Sequence, residues 1–407
     1  MSQTRIVTGL DIGTTKIAAL IADLQPEAEI PQIIGMGMVP TEGLRRGVVV
    51  DLEKTVRSIA KAISDAELMA GVTVEHVIVG IAGDHIRSIN SHGVIAVSRS
   101  DNEITEGDVE RVIDAARAVA IPADREIIHV LPQEYTIDEQ TGIKVPVGMT
   151  GVRLEAEVHI VTAAATAVRN IYRAINRCNL EVEALVLESL AASYAVLTDE
   201  EQEMGVAVVD IGGTASNVAV FFDNSIRHSS TVPLGGKNVT NDVAIGLRTP
   251  IEQAEAIKIN FGAALSSLVD ADTMISVPGV GSRSMREISR SVLASIVGPR
   301  MEEILSLAHR EIKKANFPEA LAAGVVLTGG GSLLPGAAEL AEQVFDMPVR
   351  IGLPRGFEGM TETIGTPLHA TGIGLIRYGV RHADEVARKS KTRGLFRRVE
   401  KWFNEHF

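Results

Sequence analysis

The sequence predicts a duplicated α/β architecture, with two lobes headed by the same strand–turn–strand unit and an α+β insertion in the first. Three observations carry that prediction. The segment IVTGLDIGTTKIAAL near the start is echoed by GVAVVDIGGTASNVAVF from Gly205. Each reads as a β-branched strand, an Asp-Ile-Gly turn with small hydroxyl residues and a second apolar run, the pattern of a hairpin with a glycine-rich turn. A unit that heads two segments indicates duplication, with a cleft between the halves. A length of 407 residues is enough to bury more than one core.

The elements follow in chain order. VEHVIVGIAG (74–83) has the pattern of a buried strand. Residues 85–162 then look self-contained. SINSHGVIAVS reads as a strand, and TEGDVERVIDAARAV as a helix capped by Thr105 with Asp108 three residues on. REIIHVLPQEYTID and VRLEAEVHIVT read as two more strands, the second alternating Val152, Leu154, Ala156, Val158 and Ile160. Residues 166–197 read as helix, strand, helix. In the second half, residues 283–314 form one long helical pattern carrying Ile288, Val292, Ile296, Met301, Ile304, Leu305, Ala308 and Ile312, with Gly298-Pro299 as a kink or a break. AAGVVLTGGGSLLPGAAELAEQVF reads as a strand, a triple-glycine loop and a helix.

Composition narrows the function classes. An apolar share of 45% and a charged share of 22% are those of a globular protein. Cys178 is the only cysteine, so no intrachain disulfide forms, and we expect a reducing compartment and a packing role for it in a helical stretch. MSQTRIVTGLDIG lacks the apolar run of a signal peptide, and no window reaches the roughly 18 apolar residues of a membrane span. The expectation is a cytoplasmic protein unless something tethers it. A net charge of −13 argues against nucleic acid as a partner. The ten histidines are scattered without metal-ligand spacing, and no G-x-S-x-G nucleophile elbow is present.

The motifs point to a nucleoside triphosphate. Asp11, Gly13, Thr14, Thr15 and Lys16 form one turn; Asp210, Gly212, Gly213 and Thr214 form the other. Glycines let backbone N–H groups approach phosphate oxygens, and hydroxyls add donors. Asp11 and Asp210 are suited to hold Mg²⁺ directly or through water, since Mg²⁺ keeps most of its waters. Lys16 would neutralise phosphate charge. GLDIGTTK lacks the order of a P-loop, and a strand rather than a helix is expected after it. Gly329, Gly330, Gly331 and Ser332 end a strand and open a helix, a place for base, ribose or phosphate. Gly235, Gly236 and Lys237 are a weaker signal. Glu255 and Lys258, an i,i+3 pair, read by themselves as a surface ion pair.

The last fourteen residues, GLFRRVEKWFNEHF, differ from the rest. Aromatic residues are 3% of the chain, yet Phe396, Trp402, Phe403 and Phe407 fall within its last twelve positions. From Arg388 onward seven Lys/Arg face only Glu400 and Glu405, a basic end on an acidic body. At about 100° per residue, Leu395, Phe396, Val399, Trp402, Phe403 and Phe407 share an arc of about 140°. Arg397, Arg398, Glu400, Lys401, Asn404 and Glu405 fill the opposite side, and only His406 breaks the apolar face. A sparse, basic linker before it would hold this amphipathic helix off the core, which favours an anionic membrane surface over docking on the body.

The paired DIGTTK and DIGGT turns, the Glu188-Ser-Leu-Ala-Ala helix and LTGGGSLLPG together resemble the actin, sugar-kinase and heat-shock-chaperone ATPase superfamily. GLRRGVVVDLEKT (43–55), VRIGLPRGFEGMTE (349–362), the insertion and the terminal segment resemble, within it, the FtsA family of bacterial cell-division proteins, over essentially the whole chain. That resemblance implies an actin-like two-lobed ATPase fold with duplicated ribonuclease-H-like domains. Its parts would be subdomain 1A at 1–84 and 163–198, the inserted 1C at 85–162, 2A at 199–245 and 316–383, and 2B at 246–315, followed by a linker at 384–393 and the membrane-targeting helix at 394–407. It implies ATP and Mg²⁺ as cofactors, at most slow hydrolysis, Glu188 orienting a Mg²⁺-bound water, and Glu255 and Lys258 against the adenosine.

It further implies polymerisation into actin-like filaments and docking of the C-terminal tail of the division tubulin FtsZ at Arg300 and Glu303. Later division proteins would be recruited through 1C, and the protein would lie on the cytoplasmic face of the cell membrane at the septum. The rival readings are an actin relative of the pilus-assembly or cell-shape type and a small-molecule kinase of the same fold. The kinase would need a carboxylate base aimed at a substrate hydroxyl and would have no use for the tail.

Overall fold

The computed structural model describes residues 5–382 apart from 26–27, 29, 99–100, 271, 280–283 and 316–320. The expected linker (384–393) and amphipathic helix (394–407), with Leu395, Phe396, Arg397, Arg398, Val399, Lys401, Trp402, Phe403 and Phe407, lie outside the described residues. The chain forms two compact units. One comprises Met1–Ile81, Arg169–Val196 and Leu353–Phe407; the other comprises Ala82–Val168 and Leu197–Gly352.

The first unit opens with β1 (Arg5–Ile12) and β2 (Lys16–Leu24), the predicted hairpin, in antiparallel register Asp11↔Ala18 and Ile12↔Ile17. β3 (Gln32–Pro40) adds antiparallel to β2, and the small ribbon β4 (Leu44–Arg45) and β5 (Val48–Val49) leads into α1 (Leu52–Ala70). Asp51 caps α1, accepting from the Lys54 N–H at 3.0 Å, and Gly71 ends it at φ 70°. The buried stripe Thr55, Ile59, Ala62, Ile63, Ala66 lies on β3 so closely that a Cβ on Gly37 would sit 1.9 Å from the Ala62 carbonyl oxygen. β6 (His76–Ile81) runs parallel to β1.

The insertion, grouped with the second unit, has β7 (Arg87–Ala96), α2 (Glu106–Arg117), β8 (Arg125–Ile137), β9 (Gln140–Ile143) and β10 (Arg153–Ala164), in sheet order β7-β10-β8-β9. Period-two alternation puts Leu154, Ala156, Val158 and Ile160 in a core with Val112 and Ala116 of α2. Thr105 and Asp108 form a reciprocal capping box, as their spacing predicts. The opposite face of the sheet carries Asn90, His129 and His159 along with a few apolar side chains such as Val161.

α3 (Ala165–Asn176), β11 (Glu181–Leu187) and α4 (Glu188–Val196) return the chain to the first sheet, whose order is β11-β6-β1-β2-β3. Cys178 lies in the turn after α3 rather than in a helix, its Sγ 3.4 Å from the Ala174 carbonyl oxygen.

The second unit repeats that sheet. After α5 (Asp199–Met204) come β12 (Val206–Ile211), β13 (Ser216–Phe222) and β14 (Ser225–Val232), then α6 (Gly236–Leu247), α7 (Ile251–Phe261), the ribbon β15 (Met274–Val277) and β16 (Arg286–Ser289), and α8 (Arg290–Lys313). β17 (Val325–Thr328), α9 (Ala337–Phe345) and β18 (Val349–Ile351) complete the order β14-β13-β12-β17-β18. Both sheets place a hairpin and a third antiparallel strand on one side and two parallel strands on the other.

The predicted 283–314 helix needs a correction. Ile288 lies in β16, paired with Ile275, and the helix begins only at Arg290, where the Ser289 hydroxyl accepts from the Ser291 N–H. Beyond that point Pro299 is accommodated inside one continuous helix. α10 (Thr361–Ile364) and α11 (Ala370–Arg381) close the first unit. α11 touches α4 so intimately that a Cβ on Gly374 would fall 1.8 Å from the Ala191 carbonyl oxygen.

Candidate functional site

The predicted nucleotide residues fall in both units, most of them in the second. In the second unit, Asp210 is the last residue but one of β12 and is 6% exposed. The turn after it is tied back to the start of α6. The Gly236 N–H donates to the Gly212 carbonyl at 2.9 Å and the Lys237 N–H to the Gly213 carbonyl at 2.7 Å. Gly235 must be glycine, since a Cβ there would meet the Gly212 oxygen at 2.5 Å. The second glycine turn lies against the first: a Cβ on Gly329 would stand 2.1 Å from Asp210 Oδ1, and one on Gly331 2.3 Å from Ile211 Cγ2. Gly329 also has φ 78°, a conformation side chains other than glycine adopt with strain.

The structure sharpens two sequence readings here. The triple-glycine turn does not open a long helix. Gly330–Leu333 make a short 3-10 turn, and α9 starts only at Ala337, because Pro335 and the left-handed Gly336 (φ 82°) intervene. The Ser332 hydroxyl is buried and donates to the Gly329 carbonyl at 2.7 Å, so it secures the turn. Glu255 and Lys258 are not a surface pair. Lys258 is 8% exposed, and its Nζ lies 2.8 and 2.9 Å from the two Glu255 oxygens, 3.0 Å from Thr240 Oγ1 and 3.3 Å from the Gly236 carbonyl oxygen. The Thr240 hydroxyl also bonds Glu255 and the Gly236 carbonyl. Glu255 and Lys258 therefore stitch α7 to the first turn of α6, beside Gly235 and Gly236.

In the first unit, Asp11 is the last residue but one of β1 and is 7% exposed, with Lys16 Nζ 3.4 Å from its Oδ2. Gly13, Thr14 and Thr15 turn between them. The Gly13 carbonyl accepts from the Thr41 hydroxyl at 2.6 Å and the Thr15 carbonyl from the Thr41 N–H at 3.1 Å. Glu188 is the first residue of α4, and its Cγ fills the space beside Gly80, where a Cβ would stand only 3.2 Å away. His369 is 4% exposed. Burial, with the Lys16 charge adding, lowers its pKa to about 4, which keeps it neutral at pH 7.

Three of these residues escaped sequence reading. Thr41 and His369 belong to no glycine motif, and Thr240 sits mid-helix. Only the position of Thr41, directly after the third strand of the repeat and matching Gly235–Lys237 after β14, could have signalled it.

Each turn, taken by itself, carries residue types whose chemistry would suit Mg²⁺ and a polyphosphate. Glycines stand wherever a Cβ would fill the turn, one carboxylate heads each hairpin, and lysines flank both. Among the described residues no group of three His, Cys, Asp or Glu could bind a metal by itself, and no helix is long and apolar enough to cross a membrane. Arg300 on α8, expected at a peptide site, is engaged within the unit. Its Nε donates to Asp242 Oδ2 at 2.5 Å and its Nη2 to Oδ1 at 3.2 Å, while Nη1 bonds Glu303.

A family model described as cell division protein FtsA matches residues 207–374, and one described as the SHS2 domain inserted in FtsA matches 83–162. The cell division protein FtsA of Pseudomonas aeruginosa is 48% identical over 376 residues, covering 92% of this chain and 89% of that protein. That of Neisseria meningitidis is 42% identical over 414 residues, covering 100% and 99%. Among solved structures, the PilM–PilN type IV pilus biogenesis complex aligns with a TM-score of 0.67 at 17% identity, covering 92% of this chain and 98% of that one. MreB5 of Spiroplasma citri bound to ADP aligns at 0.56 and 13% identity, covering 94% and 98%. The pairing of the two sheets and these neighbours give the fold as actin-like.

Proposed function

The chain belongs to the FtsA family of cell-division proteins, and on that premise we propose that it is a nucleotide-dependent, self-assembling tether between FtsZ and the membrane. The observation that carries the nucleotide part is the second-unit cradle, where Asp210, Gly212, Gly213, Gly235, Gly236, Glu255, Lys258, Gly329 and Gly331 come together from four segments of chain. In this reading these turns would hold the polyphosphate of ATP with Mg²⁺. Asp11 and Asp210 would hold the cation directly or through water, and Lys16 would offset phosphate charge. Lys258 and Glu255 face the adenosine side, and Glu188 orients water.

The tether itself is the segment 394–407. A helix of about 13 residues is marginal alone in water and forms on contact with a surface. Each fully buried aromatic contributes roughly 1.5–3 kcal/mol, and each Lys or Arg near an anionic bilayer about 1 kcal/mol, both before the cost of ordering. One such helix binds reversibly, and self-assembly multiplies it by avidity. The tail of FtsZ docks on α8 around Arg300 and Glu303, the insertion receives later division proteins, and the protein acts at the cytoplasmic face of the membrane at the septum.

The test is co-sedimentation with anionic vesicles, with and without an FtsZ tail peptide. Wild type pellets and carries the peptide down. Trp402→Glu with Phe403→Glu stays in the supernatant while still binding MgATP. Undiminished pelleting of the double variant refutes the tether.

A further inference from the structure

The two glycine turns are held by different means, and that difference picks out a residue outside every motif. In the second unit the Gly212 carbonyl is fixed by a main-chain donor, the Gly236 N–H. In the first, the matching carbonyl, that of Gly13, is fixed by a side chain, the Thr41 hydroxyl at 2.6 Å. Peptide groups are planar, and no peptide bond in the described chain is cis, so each carbonyl and the N–H of the next residue point in opposite directions. Holding the Gly13 carbonyl against Thr41 therefore turns the Thr14 N–H away from Thr41, just as Gly236 turns the Gly213 N–H away from itself.

Thr41 is itself immobilised on both sides. Its own N–H donates to the Thr15 carbonyl at 3.1 Å, and the next N–H, of Glu42, donates to Ser58 Oγ on α1 at 3.3 Å. Gly43 follows at φ 85°, and its carbonyl takes the N–H groups of Val50 and Asp51 at 2.8 and 3.1 Å, closing the strap onto the N-terminus of α1. The hydroxyl is thus a fixed post rather than a rotor on a loose loop.

We propose that Thr41 is the positioning residue of the first polyphosphate turn, fixing the Gly13–Thr14 peptide plane so that its N–H is presented to a nucleotide phosphate. The inference rests on the nucleotide reading above and adds a residue to it. Because the post is a hydroxyl, it is removable by one substitution, whereas its main-chain counterpart at Gly236 is not. Serine retains the donor; valine keeps the shape and loses it.

The experiment uses the full chain with Thr41→Val and Thr41→Ser, titrated with MgATP, MgADP and adenosine by calorimetry. Removing one oriented hydrogen bond predicts about tenfold weaker MgATP and MgADP binding for the valine variant. Adenosine affinity stays unchanged, the thermal midpoint without nucleotide falls by no more than a few degrees, and serine restores MgATP affinity to within about twofold of wild type. The Thr14 amide resonance of the nucleotide-free protein also moves in the valine variant and returns with serine, and a loss confined to the phosphate-bearing ligands, with adenosine spared, is what a purely structural role would not produce. Should valine prevent folding, Thr41→Ala carries the same readout. A folded valine or alanine variant with wild-type MgATP affinity overturns the proposal and leaves the nucleotide reading standing. Wild-type protein that fails to bind MgATP overturns both.

Discussion

Lowering the pH from 7 to 5 should loosen the seam between the insertion and β14, and His159 sets how much. The side chain leaves the insertion's own core on the opposite face of β10 and is 1% exposed. Asn90 donates through Nδ2 to the Arg227 carbonyl at 3.1 Å, so its Oδ1 is the acceptor for His159 Nδ1 at 2.6 Å. His159 Nε2 then accepts from the Ser229 hydroxyl at 2.9 Å, and the ring is neutral with its proton on Nδ1. Burial pushes its pKa down from 6.5 to about 3, with His228 and His129 adding in the same direction.

The unfolded chain takes up a proton on this ring below pH 6.5 that the folded chain refuses until about pH 3. Stability is therefore lost as pH falls through that window, by about 2 kcal/mol at pH 5 from this residue alone. His85, His228, His309 and His369 are also depressed, chiefly by burial, and steepen the wild-type dependence. His159→Gln, which retains one donor and one acceptor and does not titrate, isolates the contribution. Hydrogen exchange of β10 and β14 amides, corrected for intrinsic rates, should show wild type losing about 2 kcal/mol more protection than the variant between pH 7 and 5. Equal losses in the two proteins would refute the assignment.

Gly329→Ala should abolish MgATP binding measured by calorimetry. The added methyl would lie 2.1 Å from Asp210 Oδ1 at a residue with φ 78°, so the carboxylate or the turn must move. Asp108→Asn should destabilise the insertion at pH 7 by about 1–2 kcal/mol, read from exchange of α2 amides. Hydrogen bonds from Thr105 and then Arg111 hold that carboxyl at about 2, below its ordinary 3.8, so its contribution is complete above pH 4 and is lost as pH falls through 2. The penalty of the asparagine variant should accordingly vanish near pH 2, and a pH-independent penalty would count against the capping box as its cause.

The duplication was legible because both hairpins keep the same local grammar of β-branched strand, glycine turn and apolar strand. The Thr105–Asp108 cap was legible because its two residues are three apart. Long-range placement was not. Lys258 looks like half of a solvent-exposed pair in sequence, and only the packing of α7 against α6 buries it between Thr240 and the Gly236 carbonyl. Ile288 fits a helical period and a two-residue strand period equally well, and pairing with Ile275 decides for the strand. His129, His159 and His228, scattered along the chain, share one environment because β8, β10 and β14 meet. Thr41 belongs to no motif, and its position after the third strand of the repeat is its one sequence signal. Its role arises from where the third strand ends.

β14 is the outermost strand of its sheet, and its unpaired side would ordinarily invite another chain to pair with it. Here Gln133, Asn90 and Ser88 each donate from a side chain to a β14 carbonyl, those of Ile226, Arg227 and Ser229, at 2.7, 3.1 and 2.6 Å. Amide and hydroxyl groups thus satisfy the strand without extending the sheet, so the ladder stops at five strands. Excising residues 83–162 would uncover a sticky margin, and a truncated protein that clumps would owe that behaviour to β14 and not to any loss of a binding partner.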